Sequence, residues 1–152
     1  MRAINHAMTG AIIGLAVTNP VALPLAFASH YVLDAIPHHA EKNHAINTKL
    51  FKAMLIIDAL LCAFLVIIIT IKHPTYWWIA ALCAFLAASP DFIWFGDFIK
   101  VSKSGVRRDI KKRSAFARLH AWIQWFEKPI GIFVEIAWAF GAGVFLYYLL
   151  QR

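Results

Sequence analysis

The stretch Leu55-Ile-Ile-Asp58-Ala-Leu-Leu-Cys62-Ala-Phe-Leu-Val-Ile-Ile-Ile-Thr-Ile71 decides the fold class. A single charge interrupts it, and with its flanks it is long enough to cross a hydrocarbon core of about 30 Å as a helix. Residues 130–150 form a second such run, broken only by Glu135. The 152-residue chain around them is 61% hydrophobic and 15% charged, with a mean hydropathy of +0.66. A soluble domain carries far more charge than this. The expectation is an all-α, polytopic integral membrane bundle formed as one membrane domain over 1–152. Cys62 and Cys83 fall inside apolar stretches and read as packing thiols, not as a disulfide framework.

Working outward, Thr48 is a candidate N-cap for a spanning helix over 49–72. Before it, the apolar region from Asn5 to Ile36 is broken by Thr18-Asn19-Pro20. Two helices, 5–18 and 20–35, each reach only about 21–24 Å, so a short N-terminal helical hairpin that enters the membrane is expected. Gly10 and Gly14 give its first helix a small-xxx-small face. After the central span, His73-Pro74 makes a turn. A helix over 74–88 follows, led by the interfacial aromatics Tyr76, Trp77 and Trp78. Ser89-Pro90-Asp91 reads as a restart, with Ser89 as N-cap and Pro90 at the first helical position. Residues 100–113 read as a basic loop. Residues 114–127 read as a cytoplasmic amphipathic helix with Phe116, Leu119, Ile123 and Phe126 on its apolar side. Pro129 opens the last span, 129–150.

Charge sets the orientation. The net charge is +7, and 13 of the 15 Lys and Arg residues fall on one side of this layout. They are Arg2, Lys42, Lys49, Lys52, the seven basic residues of 100–113, Arg118 and Lys128, whereas Lys72 and Arg152 fall on the other. The positive-inside rule puts the basic side, and the N-terminus with it, in the cytoplasm.

The same layout gathers polar groups on that side. His30 and Asp34, at i and i+4 in Ala28-Ser-His30-Tyr-Val-Leu-Asp34-Ala-Ile-Pro-His38-His39, share one helical face. An imidazole beside a carboxylate is a natural pair of metal ligands. His6 begins the first helix, His38 follows Asp34 by a turn, and Asp91 ends the fourth helix. Asp58 must face the bundle, because a carboxylate toward lipid is costly. His120 lies near the apolar side of the amphipathic helix. The metal ligands expected from this layout are His6, His30, Asp34 and Asp91, with Asp58 and His120 as supporting catalytic groups, whereas His38, His39 and His44 lie in a polar loop. Zn²⁺ suits this donor set, and Mn²⁺ or Fe²⁺ also fit.

Other chemistries are excluded by what the chain lacks. There is no Gly-x-Ser-x-Gly elbow, and Ser29 beside His30 does not face it. There is no P-loop or dinucleotide fingerprint. The basic run of 100–113 reads as a loop against anionic lipid headgroups, with Arg107 and Arg108 as headgroup ligands, and not as a nucleic-acid surface.

The segments His6-Ala-Met-Thr-Gly10-Ala-Ile-Ile-Gly14 and His30-Tyr-Val-Leu-Asp34-Ala-Ile-Pro-His38 resemble the bacterial inner-membrane family of membrane-bound metal-dependent hydrolases, the YdjM-like group. The resemblance covers mainly residues 1–40. Of that family's Pro-Asp-x-Asp-His cluster the chain has Leu33-Asp34-Ala-Ile-Pro-His38, and it lacks the Gly-His-Arg-x-x-Thr-His segment. The resemblance implies a metal site at His6, His30, Asp34 and His38. The function expected is metal-dependent hydrolysis of a membrane-associated ester or phosphoester. The alternative is a non-enzymatic membrane protein whose polar cluster is a structural network or a proton or metal-ion path.

Overall fold

The computed structural model describes residues 1–39, 48–104 and 109–151. Seven α-helices are formed among them: α1 Ala3–Val17, α2 Ala22–Ala35, α3 Lys49–Lys72, α4 Trp77–Ala88, α5 Phe95–Ser104, α6 Ala115–Ile123 and α7 Gly131–Leu149. A 3-10 segment, Ser89–Trp94, continues α4, and a 3-10 turn, Ile110–Lys112, precedes α6. Among the described residues there is no strand, only an isolated bridge between His38 and Glu127. Three segments are long and apolar enough to cross a membrane: Lys49–Lys72, Trp77–Trp94 and Gly131–Leu149.

The short helix α1 is the hub, packed against α2, α3, α4 and α7. Its small residues make this possible. A Cβ at Gly10 would overlap the Cys83 carbonyl and the Ala87 methyl, and one at Gly14 would overlap the Ala80 backbone. The α1 and α4 backbones therefore meet with no side chain between them. Two clusters of mostly small residues flank this crossing. One joins Ala7, Ala11, Leu65, Ile69, Ala80, Ala84 and Leu146, and the other joins Ala22, Ala26, Ile79, Cys83 and Ala87.

Large apolar side chains lie on the outside. Leu60, Phe64, Ile67 and Ile71 of α3 and Phe133, Ile136, Phe140 and Val144 of α7 are all exposed. His6, His30, Asp34, His38, Asp58, His120 and Glu135 are buried. Apolar surface outside a polar interior is the arrangement hydrocarbon solvent favours, since water would penalise every one of those exposed groups.

The local signals act as the sequence predicts at most boundaries. Thr48 caps α3 by accepting from the Phe51 amide at 3.1 Å. Asn19 closes the α1–α2 turn by accepting from the Val21 amide. The fourth helix starts at Trp77, not at 74, because His73 and Tyr76 adopt left-handed backbone (φ 48° and 65°) that interrupts it. Ser89 is not an N-cap. Its hydroxyl donates back to the Leu86 carbonyl while its backbone stays right-handed, so the chain tightens into 3-10 geometry instead of breaking. The expected basic loop of 100–113 is helical through Ser104 as the end of α5. The amphipathic helix is shorter than expected, ending at Ile123, and the residues it buries are Ala117 and His120. Phe116, Leu119 and Phe126 face outward instead. Of the expected strip, Phe116 and Leu119 lie on the outer side of α6, Ile123 is half-buried, and Phe126 lies beyond the end of the helix.

Candidate metal centre

Four chain segments converge at the end of the molecule that holds the α1 N-terminus. Helix α2 supplies His30 and Asp34 from its last two turns. The 3-10 segment supplies Asp91, α6 supplies His120, and α1 supplies His6. One ligand atom each from His30, Asp34, Asp91 and His120 all lie within 4.8 Å of one another, and this group could hold a metal ion. Asp34 Oδ2 is 3.2 Å from His30 Nε2 and 3.0 Å from His120 Nε2. The two imidazole Nε2 atoms are 3.1 Å apart. Asp91 Oδ1 is 3.7 Å from His30 Nε2 and 3.6 Å from His120 Nε2. Ligand atoms about 2.0–2.1 Å from a tetrahedral ion stand roughly 3.4 Å apart, so these separations fit such a shell.

The hydrogen bonds around the group accommodate either shared protons or a cation. His30 Nδ1–H donates to the Ala87 carbonyl at 2.8 Å. That contact fixes the tautomer and leaves the Nε2 lone pair directed at Asp34 and His120, the usual arrangement behind a metal-ligating imidazole. His120 Nε2 lies 3.0 Å from Asp34 Oδ2, so a proton on that nitrogen, donated to the carboxylate, or a metal ion between them satisfies the contact. The His30, Asp34 and His120 side chains are essentially inaccessible, whereas Asp91 is 29% exposed.

Asp34 divides its two oxygens. Oδ2 faces His30, His120 and the Gln124 side-chain amide, which donates at 3.2 Å. Oδ1 faces His6 Nε2 at 3.2 Å and the Met1 amino group at 2.7 Å. His6 also stacks on His30, with ring centroids 4.0 Å apart. His6 is thus brought to the site on the far side of the shared carboxylate, beside the four-residue group and outside it.

Two other expected site residues are placed elsewhere. Asp58 caps α1: its carboxylate accepts from the Ala3 amide at 2.8 Å and the Ile4 amide at 3.0 Å, so it fixes the helix that carries His6. His38 lies in a strap that ties the α2 end to the α7 start. Its Nδ1–H donates to the Ile36 carbonyl at 2.9 Å, and its Nε2 is 3.8 Å from Glu127 Oε1. Burial alone would lower the His38 pKa. The Glu127 carboxylate, with help from the Ile36 carbonyl, outweighs it and holds the imidazole above its ordinary value. The His38 backbone lies so close to Gly131 that a Cβ there would overlap it. Glu135 extends the strap by accepting from the His39 amide at 3.0 Å. Arg107 and Arg108 lie outside the described residues.

The structure adds groups that residue type alone does not single out. Gln124 sits one turn after His120 on α6, and that i, i+4 spacing is the signal by which it could have been found. Tyr31 packs edge-on against both His30 and His120, with centroids 5.3 and 5.7 Å away. Trp94 lies 5.6 Å from the His120 ring and carries the Arg113 guanidinium 4.7 Å above its own ring. No family model matches the chain, and no curated protein or solved structure matches it either.

Proposed function

We propose that this chain is a polytopic integral protein of a bacterial-type inner membrane, with its N-terminus and polar cluster on the cytoplasmic side, and that the cluster is a divalent-metal centre for hydrolysis of a membrane-associated ester or phosphoester. The observation that carries the reading is the convergence of His30 Nε2, His120 Nε2, Asp34 Oδ2 and Asp91 Oδ1 inside an otherwise apolar molecule. Polar groups are retained in such surroundings for function more often than for stability. Zinc suits two imidazoles and two carboxylates, and manganese or iron is compatible with them. When bound, the metal would supply Lewis acidity and a more acidic water.

The chain's own residues supply the rest. His30 is held in one tautomer by Ala87. Asp34 is oriented by Gln124 on one oxygen and by His6 on the other. Asp91 is the most exposed of the four, where its carboxylate can take the proton of an incoming water. Arg113, above the Trp94 ring that borders His120, offers a positive charge toward an anionic ester. Arg107, Arg108 and the neighbouring lysines attract anionic lipid headgroups to this side. The resemblance of residues 1–40 to the YdjM-like hydrolases points the same way.

The second reading is a closed, non-enzymatic network or ion path, and one observation favours it. Asp34 already meets the Met1 amino group, His6, His120 and Gln124. Metal analysis of the purified protein, stripped and then offered zinc, manganese or iron, separates the two. The hydrolase reading expects about one tightly held ion, lost in His30→Ala and Asp34→Ala and kept in His44→Ala. A wild-type protein that retains none of the three ions leaves the closed network as the account.

A further inference from the structure

A groove of about 500 Å³ runs between α1 and α7, lined by Thr9, Ile12, Ile13, Val134, Ala137, Trp138, Gly141, Ala142 and Phe145. We infer that this groove is an acyl-chain subsite, which holds one hydrocarbon tail of a bilayer lipid whose polar head lies at the depth of the His/Asp cluster. The inference rests on the proposed reading for what the head meets, but not for what fills the groove.

Three observations select a hydrocarbon chain. The first is chemical. Thr9 supplies the one side-chain hydroxyl in the lining, and it is already used: it donates to the Asn5 carbonyl at 2.8 Å and accepts from the Trp138 indole at 2.9 Å. The indole is satisfied by the same bond, so no lining side chain offers a spare hydrogen-bond donor to a polar ligand. The second is depth. From Val134 to Phe145 the α7 axis rises about 16 Å, close to the roughly 15 Å of one hydrocarbon leaflet. The third is continuity with the site. On α1, His6 precedes Thr9 by a turn, and Asn5 beside it donates to the Glu135 carbonyl of α7 at 3.2 Å, which joins the two walls near the α1 N-terminus. The outer face of α7 is apolar and open, with Phe133, Ile136, Phe140 and Val144 exposed, so a lipid can enter sideways from the bilayer.

Two glycines of α7 make the test clean. A Cβ at Gly141 or at Gly143 meets nothing within 4 Å, so both positions accept a larger residue, but only Gly141 lines the groove. The full chain is placed in phosphatidylethanolamine–phosphatidylglycerol nanodiscs containing a trace of phosphatidylglycerol with a diazirine at the middle of one acyl chain. After illumination, adducts are mapped by mass spectrometry. Adducts on Ile12, Ile13, Val134, Trp138 and Phe145 should exceed those on exposed Leu60, Phe64 and Ile67 of α3 by about fivefold or more. Gly141→Leu, and independently Ala137→Phe, should cut the groove adducts by a similar factor, while Gly143→Leu leaves them unchanged. His30→Ala should keep the adducts while losing the metal, so failure of the metal centre and failure of the groove are read separately. Equal labelling of the groove and α3, adducts insensitive to both filling variants, or α7–α7 cross-links between two copies in place of lipid adducts would each overturn the inference.

Discussion

Asp34 shows how one carboxylate organises the site at the scale of residues. Its Oδ2 is shared by His30, His120 and Gln124, so the loss of any partner is felt by the others. Gln124→Ala removes only an orienting amide, and chelator competition should find metal affinity weaker by about 10–100-fold with stoichiometry preserved. Asp58 is the useful contrast. It accepts from two α1 amides and touches no member of the four-residue group, so Asp58→Ala should lower stability by about 1–2 kcal/mol in a detergent unfolding titration. Folded Asp58→Ala protein should bind metal like the wild type; loss of metal at full folding would return Asp58 to the site. His38 gives a pH signature. Its folded-state pKa is raised, so its contribution to stability is fully present below the ordinary value of 6.5 and is lost as pH rises through the raised value. Melting temperature should therefore fall across that window for the wild type, and the slope should flatten in His38→Ala. An unchanged slope would show that the strap is held by Glu135 and backbone contacts alone.

At the scale of elements, glycine placement separates tight crossings from open faces. Gly10→Leu should abolish folding, because even a Cβ there overlaps the α4 backbone, whereas Gly143→Leu should fold normally. Monodispersity on size exclusion distinguishes them directly. The α3 C-cap, His73, adopts φ 48° without being glycine, and a left-handed non-glycine residue costs about 1–2 kcal/mol. His73→Gly should recover part of that and raise the melting temperature. Helix α6 explains why its inward face was misjudged from hydropathy. Phe116, Leu119 and Phe126 are exposed, and the inward positions go to His120 and the small Ala117. Amphipathicity marks two faces but does not say which one the protein covers.

For the whole molecule, the proposed orientation is open to a direct test. With Cys62 and Cys83 replaced, single cysteines at Arg2, Thr48 and Thr75 can be labelled in intact inverted and right-side-out vesicles by an impermeant maleimide. Arg2 and Thr48 should label together from the cytoplasmic side and Thr75 from the other; opposite labelling of Arg2 and Thr48 would dismantle the orientation. The amino-acid sequence by itself determined the all-α class and the helices α1, α2, α3 and α7, but not α5 or the end of α6. Long uncharged runs, Asn19-Pro20, Thr48 and the small residues Gly10 and Gly14 act within a few residues of where they stand, so their effects are local and can be read in order. It also marked the His30 and Asp34 pair, and the carboxylate of Asp58, as groups too costly to place in such a chain without a use, and named His6, His38, Asp91 and His120 as further candidates. Only the tertiary structure decided which of them meet. Asp58 and His38 have the same chemistry as the residues that converge, but the crossing of α1 over α4 and the path from Ser89 to α6 bring Asp91 and His120 to Asp34, while Asp58 is spent on the α1 amides and His38 on the strap. Those contacts join residues up to 90 positions apart, and nothing local to either partner encodes them.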